Sequence, residues 1–472
     1  MNIAGQFNRP VSGISFDSRQ VKPGEVFVAI QGLESDGNAY QKQAIKAGAA
    51  AIVSDSEQVQ NSIPFIQVKN ARTALARLAA EFYGCPEKSL NLIGVTGTNG
   101  KTTTTYLIKS ILEAGGHSVG LLGTIEYFIG NEKIAAERTT PESLDLQRYL
   151  ATMRDSGQTH VVLEVSSHAL ALERTHGLNF ERAVFTNFSH EHLDFHKTPE
   201  AYLEAKMKLF AALESESVAV LNFDDPVCRR IQEKTRAKPL FFSAKSDQAE
   251  MNANILKKDG SGMNLQLRLN ETEIAICTSL IGGFNLNNIL AAAAVGSSFG
   301  VELELIKKGI EALKGVPGRM ESVDTNRDFQ CLVDFPHTPE SLKQSLLSCR
   351  EICSGKLIVI FGCGGERDQI KRPKMGKIAE EYADLVYLTS DNPRREEPLK
   401  IIEEIDGGIS EKSKRKIIVD RKTAINEALN EANENDVVLI AGRGHETYQE
   451  IGGERLHFDD REVAKETLIP TD

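Results

Sequence analysis

The sequence predicts an α/β protein of three domains, built mainly from parallel sheets covered by helices. Its 472 residues far exceed the size at which a single hydrophobic core divides. From about residue 88, short apolar runs alternate with helical stretches, which is typical of parallel strands buried on both faces. Breaks at Gly84-Cys85-Pro86 and Gly315-Val316-Pro317-Gly318 predict domains at 1–87, 88–317 and 318–472.

Each predicted domain shows its own strand and helix signals. The N-terminal one is a small α/β domain with strands at Glu25–Ile30 and Ala50–Val53 and a helix at Tyr40–Ala47. Apolar runs predict the strands of the other two, at Leu90–Val95, Val161–Val165, Ala183–Phe185, Val218–Leu221, Leu357–Phe361, Leu385–Thr389, Ile417–Val419 and Val437–Ala441. Ligands in such sheets bind beyond the carboxyl ends of the strands. We therefore expect a site in the loops that follow them.

Composition excludes several classes of protein. The net charge of -11 argues against a nucleic-acid binder, although a local basic cluster can still hold an anionic substrate. No apolar run approaches the roughly 18 residues of a membrane span, and the N-terminus lacks a secretory pattern. The seven cysteines are scattered without a CxxC pair, which favours a reducing compartment. We expect a cytoplasmic monomer that acts on small molecules, with no nucleic-acid or membrane partner.

The strongest local motif is GVTGTNGKTT at 94–103, between a predicted strand and a predicted helix at 102–112. Its glycines let backbone N–H groups face phosphate oxygens at a helix N-terminus, where the dipole favours anions. Lys101 would reach the β- and γ-phosphates, and the Thr102 hydroxyl would bind Mg²⁺. Val95 departs from strict Walker spacing, and a Gly-rich turn that binds nothing is the alternative. The strand–loop–helix context favours ATP.

Two further segments offer ligands for the metal. Glu164 ends a predicted strand, and His192 lies in the polar segment 186–194. Mg²⁺ prefers carboxylate and hydroxyl oxygens, with an occasional imidazole. Each residue alone is more often a satisfied polar group than a ligand. Together with the phosphate loop they predict a magnesium site.

At this point the chain resembles the Mur ligase family over essentially its whole length. The motifs that carry the resemblance are GTNGKT at 97–102, EVSSH at 164–168, His192 in its 187–194 context, YLEAK at 202–206, NLNN at 285–288 and GVPGR at 315–319. The resemblance implies a UDP-binding domain, a central P-loop ATPase and a C-terminal Rossmann-like domain that binds the amino acid.

More specific motifs resemble the family members that add the third residue of the peptidoglycan peptide. They are TTPES at 139–143, FGCGG at 361–365 and AGRGHETYQ at 441–449, and DNPR at 391–394 matches members that select meso-diaminopimelate over lysine. The implied reaction is the ATP-dependent ligation of meso-2,6-diaminopimelate to the D-Glu side-chain carboxylate of UDP-N-acetylmuramoyl-L-Ala-D-Glu. It proceeds through an acyl phosphate and serves peptidoglycan precursor synthesis.

The resemblance also implies roles for residues at the ATP site. The catalytic and metal-binding residues would be Lys101, Thr102, Glu164, His192 and Lys206, and the nucleotide would contact Gly97, Thr98, Asn99, Gly100, Lys101, Thr102, Thr103, Asn288, Arg319 and Asp334. Lys206 would react with CO₂ to give a carbamate (N6-carboxylysine) beside a second Mg²⁺. From the residues alone, a solvated lysine is the simpler interpretation, because Lys208 shares the same helix. For Asn288, helix capping is the alternative.

The two other substrates receive their own residues from the resemblance. The UDP-muramoyl-dipeptide would contact Phe16, Ser18, Leu33, Glu34, Ser35, Arg138, Thr139, Thr140, Ser166, Leu172 and Arg174, and meso-diaminopimelate would contact Arg367, Asp391, Asn392, Pro393, Arg394, Gly442 and Glu446. Arg394 offers a planar fork for the distal carboxylate, and Glu446 would receive the distal ammonium. A turn with a surface ion pair is the alternative for 391–394. The chain departs from the family pattern at Arg138, Leu172, Phe335-Pro336 and Glu366.

Two other functions stay open. A lysine-adding or other sibling ligase, or a folylpolyglutamate synthetase, would share the central domain but should lack the 391–394 and 442–446 motifs. A P-loop protein that uses ATP as a conformational switch would bind partners without ligation. Phosphate release that depends on both other substrates distinguishes an enzyme from a switch.

Overall fold

The computed structural model describes residues 2–4, 10–32, 35–57, 63–189 and 191–468. These residues form three sheets flanked by helices and one separate two-stranded hairpin. The sheets are mostly parallel, which confirms the predicted α/β class. Within these ranges, no helix combines the length and the apolar character needed to cross a membrane.

The first sheet has five strands in the order β1-β5-β4-β3-β2, of which only β1 is antiparallel to its neighbour. Its elements are β1 (Asn2–Ala4), β2 (Gly13–Ser15), β3 (Glu25–Ala29), α1 (Gln41–Lys46), β4 (Ala51–Ser54), β5 (Phe65–Gln67) and α2 (Ala71–Phe82). A small apolar cluster lies on each face. The Asn70 side chain caps α2 by accepting from the backbone N–H groups of Arg72 and Thr73.

The central sheet has eleven strands in the order β16-β15-β14-β13-β12-β11-β6-β10-β7-β8-β9. Its elements are β6 (Asn91–Thr96), α3 (Lys101–Ala114), β7 (Val119–Leu122), β8 (Glu126–Ile129), β9 (Glu132–Ala135), α4 (Ser143–Asp155), β10 (His160–Glu164), α5 (Ser167–Ala171), β11 (Arg182–Phe185), α6 (Leu193–His196), α7 (Pro199–Ala211), β12 (Val218–Asn222), α8 (Val227–Lys234), β13 (Lys238–Ser243), β14 (Met251–Asp259), β15 (Gly262–Leu269), β16 (Thr272–Thr278), α9 (Asn285–Ser298) and α10 (Leu303–Ala312). Strands β10, β6 and β11 are parallel neighbours. Their carboxyl ends therefore bring the phosphate loop, Glu164 and the His192 segment to one edge.

The third sheet has six strands in the order β17-β18-β22-β19-β20-β21, all parallel except β17. Its region contains β17 (Glu321–Val323), β18 (Gln330–Asp334), α11 (Pro339–Ile352), β19 (Leu357–Phe361), α12 (Lys371–Tyr382), β20 (Leu385–Leu388), α13 (Pro398–Asp406), β21 (Arg415–Ile417), α14 (Arg421–Glu431), β22 (Val437–Ala441), the hairpin strands β23 (Tyr448–Ile451) and β24 (Glu454–His457), and α15 (Asp460–Leu468). The loops after β18, β19, β20 and β22 share one edge. Strand β21 begins and ends two residues before the strand predicted at Ile417–Val419.

Candidate active site

The phosphate loop joins β6 to α3, as the motif predicted. Gly97 and Gly100 have positive φ angles of 148° and 83°, a region that favours glycine. Space also requires glycine, since a Cβ at Gly97 would lie 1.9 Å from Thr186 Oγ1 and one at Gly100 would lie 2.2 Å from Asn288 Oδ1. The loop is fixed further where Asn99 N–H donates to Asn187 Oδ1 at 3.0 Å. The backbone is therefore held in shape by the neighbouring strand end.

Lys101 begins α3 and folds back over the loop. Its Nζ donates to the carbonyl oxygens of Gly97 at 3.1 Å and Thr98 at 2.8 Å. The Thr98 hydroxyl lies 3.3 Å from Tyr202 OH, and Thr102 and Thr103 are buried. An ammonium group over a glycine-rich turn is suited to binding a phosphate group.

Glu164, at the end of β10, is fully buried. Its carboxylate accepts from Thr102 Oγ1 at 3.2 Å, from Thr124 N at 2.9 Å and from Thr124 Oγ1 at 3.0 Å. Within the described ranges, no basic side chain forms an ion pair with it. A buried carboxylate with only neutral donors, next to a threonine hydroxyl, has the oxygen chemistry that a hard divalent cation prefers.

Lys206 and His192 line the same cavity. Lys206 is 1% exposed, its Nζ donates to Gly97 O at 2.6 Å and lies 4.5 Å from the Tyr202 ring centroid. Burial, reinforced by the charge of Lys101, lowers the pKa of Lys206 well below its usual value. Burial likewise lowers the pKa of His192 to about 4. Across the described chain, no three His, Cys, Asp or Glu side chains converge into a preformed metal centre.

The third sheet contributes residues from the opposite wall. Arg319 Nη2 donates to Thr102 Oγ1 at 3.3 Å, and its guanidinium carbon lies 4.7 Å from the Phe335 ring centroid. Asp334 accepts from Met320 N at 3.1 Å.

The Asn288 side chain, on α9, accepts from Thr104 Oγ1 at 3.3 Å and donates to Asn285 Oδ1 at 2.7 Å. It therefore contacts neighbouring side chains and does not cap its own helix, whose N-cap is Phe284.

The residues expected to bind the muramoyl-peptide do not all lie at one place. Those that line the cavity are Arg138, Thr139, Thr140, Ser166 and Arg174. Leu172 is not among its lining residues, and its carbonyl accepts from Arg72 Nη1 at 3.5 Å. Phe16, Ser18 and Ser35 lie in the first-sheet region outside this cavity, where Ser18 Oγ donates to Gln43 Oε1 at 3.1 Å. Leu33 and Glu34 lie outside the described residues.

The loops expected to bind the amino acid converge on the cavity. Its lining includes Arg367, Asp391, Asn392, Arg394, Gly442 and Glu446, but not Pro393. Asn392 Nδ2 donates to Glu446 Oε2 at 2.7 Å, and Arg394 Nη1 donates to Gly365 O at 2.5 Å while its Nε lies 3.4 Å from Glu450 Oε2. Burial and the charge of Asp391 raise the pKa of Glu446. Arg394 therefore lines the cavity and at the same time forms an ion pair with the partly exposed Glu450.

A single cavity of about 1120 Å³ joins the phosphate loop, the candidate metal ligands and the amino-acid loops, whereas the first-sheet residues lie outside it. It runs from the phosphate loop past Glu164 and Lys206 to the loops after β19, β20 and β22. Sequence reasoning did not assign roles to several contacts around it, namely Thr124 on Glu164, Glu191 with His337, and Glu142 with its arginines. Glu191 lies next to the predicted ligand His192, and its position in that polar segment was the available signal.

Family models match most of the chain. They are described as Mur ligase family, catalytic domain (residues 10–83), Mur ligase middle domain (95–296) and Mur ligase, glutamate ligase domain (318–444). The chain belongs to the Mur ligase family, which confirms the resemblance of its motifs.

Two relatives and one solved structure that are similar to this chain carry the name UDP-N-acetylmuramoyl-L-alanyl-D-glutamate–2,6-diaminopimelate ligase. The relative from Bacillus licheniformis is 44% identical over 474 residues, covering 99% of this chain and 96% of its own length. The relative from Clostridium tetani is 43% identical over 472 residues, covering 99% and 96%. A solved structure of a ligase with this name is 33% identical, with a TM-score of 0.69 over 98% of this chain and 95% of that one.

Proposed function

We propose that this chain is an ATP-dependent acid–amino-acid ligase that joins meso-2,6-diaminopimelate to the D-Glu side-chain carboxylate of UDP-N-acetylmuramoyl-L-Ala-D-Glu. The observation that carries the proposal is the single cavity shared by the phosphate loop and by the 391–394 and 442–446 loops. A triphosphate and an amino acid can therefore approach the same point. The names of relatives 43–44% identical over nearly the full chain support the choice of substrates.

A carboxylate must acquire a leaving group before an amine can displace it. The γ-phosphoryl group of ATP passes to the D-Glu carboxylate, giving an acyl phosphate and ADP. The amine then attacks the acyl carbon, and the tetrahedral intermediate expels phosphate. Positioning and charge neutralisation dominate such a transfer. Lys101 and the backbone N–H groups of the loop hold the phosphates, and Arg319 adds positive charge from the opposite wall.

The residues present fit a Mg²⁺ requirement. Glu164 and the Thr102 hydroxyl, 3.2 Å apart, would hold the ion together with phosphate oxygens, and His192 and a modified Lys206 would hold a second. Bound Mg²⁺ offsets the repulsion between the triphosphate and the anionic acceptor. Exhaustive chelation should therefore abolish turnover, and added Mg²⁺ should restore it. Undiminished turnover after chelation would refute the metal requirement.

Lys206 is the proposed site of carbamate formation. Its neutral amine attacks CO₂, forms a C–N bond and releases one proton, which leaves an N6-carboxylysine anion. The lowered pKa of Lys206, caused by burial and by Lys101, supplies the neutral amine. A carboxylate at this position would provide the oxygen ligands that the second Mg²⁺ needs.

The amino-acid end is selected by charge. Arg394 would hold the distal carboxylate of meso-diaminopimelate with Arg367 nearby, and Glu446 with Asn392 would hold the distal ammonium. L-lysine lacks that carboxylate, so it would not gain the charged hydrogen bonds that Arg394 offers.

Phosphate release measured with each substrate omitted in turn tests the reaction. The ligase requires ATP, the UDP-dipeptide and the amino acid together, with meso-diaminopimelate strongly preferred over L-lysine. Phosphate release without the amino acid would favour an ATP-driven switch, and equal rates with L-lysine would favour a lysine-adding sibling.

We further propose that the chain has three domains, at 1–87, 88–317 and 318–472, and that it is a cytoplasmic monomer. Light scattering, which measures the mass of the protein in solution, would test the monomeric state.

A further inference from the structure

Arg72 connects the first-sheet region to the central one. It lies in the first turn of α2, and its Nε and Nη2 donate to the carbonyl of Gln31 at 3.2 and 2.7 Å. Its Nη1 reaches Glu142 Oε2 at 3.3 Å and the carbonyl of Leu172 at 3.5 Å. The side chain is 13% exposed. One planar guanidinium thus links three chain segments that are far apart in sequence.

Glu142 stands at the centre of an arginine cluster. Its carboxylate is 2.9 Å from Arg174 Nη2, 3.3 Å from Arg72 Nη1 and 3.6 Å from Arg138 Nη1. One carboxylate cannot neutralise three guanidinium groups, so the cluster keeps a positive surplus. Arg138 and Arg174 line the cavity, whereas Glu142 and Arg72 stand behind them.

A second observation concerns how Arg174 is held at the cavity wall. The Arg174 side chain is 8% exposed, and its Nε is buried with no hydrogen-bond partner in the described part of the chain. Arg174 also donates to Thr140 O at 3.1 Å, which fixes the guanidinium in place. Fixed positive charge at a cavity wall favours an anionic group.

We infer that Arg72 is a positioning residue for the anionic UDP-muramoyl-dipeptide, acting through Glu142; this rests on the proposed ligase function. Arg72 holds the loop at Gln31 against the central region, and its bond to Glu142 fixes the carboxylate that orients Arg138 and Arg174. The planar fork of arginine holds Gln31 and Glu142 in one fixed geometry, whereas lysine offers a single, freely rotating donor group. In the described contacts, Arg72 touches neither the phosphate loop nor the amino-acid loops.

The test compares Arg72→Met with Arg77→Met, a matched control on the same helix whose side chain is exposed. Arg72→Met should raise the KM for UDP-N-acetylmuramoyl-L-Ala-D-Glu about tenfold, the effect of losing about 1.4 kcal/mol. The KM values for ATP and meso-diaminopimelate should stay within twofold, and Arg77→Met should match the wild type. Arg72→Lys should give an intermediate KM, because lysine keeps the charge but not the fork.

A readout without turnover separates this inference from the ligase proposal. The UDP-dipeptide alone should raise the Tm of the wild type, because ligands stabilise the state that they bind, and this shift should shrink in Arg72→Met. A wild type that binds but never releases phosphate would count against the ligase and not against Arg72. An unchanged KM for the UDP-dipeptide, or an equal rise in all three KM values, would overturn the inference. If Arg72→Met does not fold, Arg72→Lys must show the selective rise.

Discussion

His337 Nε2 lies 2.8 Å from Oε1 of Glu191 and joins the loop after β18 to the central region. The Glu191 side chain is only 9% exposed. Burial acts to raise its pKa, but the hydrogen bond from His337 and the charges of His337, His192 and Lys101 hold the pKa below its usual value. Since a carboxylate can only accept, the His337 ring must donate from Nε2. The two walls of the cavity are therefore tied together beside the phosphate loop.

Substituting His337→Ala should lower kcat/KM about tenfold. The reason is that a buried, ionised carboxylate loses a partner, which costs about 1–3 kcal/mol. The control is His457→Ala, which removes an exposed His–Glu pair with Glu462 and should leave the rates unchanged. Steady-state kinetics with all three substrates measures both. Equal rates for the two variants would show that the Glu191 contact does not support catalysis.

Lys206→Ala should abolish measurable turnover, because the variant cannot form the proposed carbamate. Short carboxylates such as acetate or formate should restore part of it by occupying the vacated space. Lys208→Ala is the matched control, since Lys208 lies on the same helix with an exposed side chain that pairs with Glu173 at 2.9 Å. Full activity of Lys206→Ala, without any added carboxylate, would discard the carbamate.

The burial of Lys206 could have been predicted from its helix. Tyr202, Lys206 and Phe210 are spaced four residues apart, and all three are buried, so the lysine lies on the apolar stripe of α7. Lys208 falls on the other face. The interpretation of Lys206 as a solvated residue was based on the nearby Lys208 and did not take this periodicity into account. Its approach to Gly97, 109 residues away, depends on tertiary packing that no local pattern encodes.

Arg394→Ala should raise the KM for meso-diaminopimelate by a factor of ten or more and leave the KM for ATP within twofold. The substitution removes the charged donor proposed for the distal carboxylate, and charged hydrogen bonds are worth roughly 1.5–3 kcal/mol. The adjacent Arg395 is exposed, so Arg395→Ala controls for loss of positive charge in the same loop. An unchanged amino-acid KM in Arg394→Ala would refute the assignment.

Sequence patterns located the loops of the third sheet but not what braces them. Apolar runs ending at Phe361 and Ala441 predicted the positions of their loops, because parallel strands share one ligand edge. The hairpin of β23 and β24 was not predicted. It braces the 391–394 loop, because Arg394 N donates to the carbonyl of Glu450 in β23 at 3.0 Å. Contacts between segments far apart in sequence, such as Glu191 with His337 at a separation of 146 residues, follow only from the assembled fold.

Arg421 and Asp460 form a fully buried ion pair behind the amino-acid loops, with Arg421 Nε and Nη2 donating at 2.8 and 2.7 Å. Arg421 also donates to the carbonyls of Ala441 at 3.0 Å and Ser390 at 3.4 Å, the residues just before the 442–446 and 391–394 loops. Removing one partner of such a pair leaves an uncompensated charge and costs about 3–5 kcal/mol.

Asp460→Asn should therefore lower the urea midpoint of the third-sheet region and also raise the KM for meso-diaminopimelate, since both loops lose their common support. Glu466→Gln is the matched control, because Glu466 pairs with Lys422 at 3.0 Å between the same two helices, but with both side chains more than half exposed. Such surface pairs contribute little, so Glu466→Gln should leave the midpoint and the KM unchanged. Circular dichroism during urea unfolding and substrate kinetics on the folded variants measure the two effects. If the two variants change the midpoint and the KM equally, the buried Arg421–Asp460 pair contributes no more to either quantity than the exposed Lys422–Glu466 pair. A lowered midpoint with an unchanged KM would limit the pair to stability and separate it from the placement of the loops.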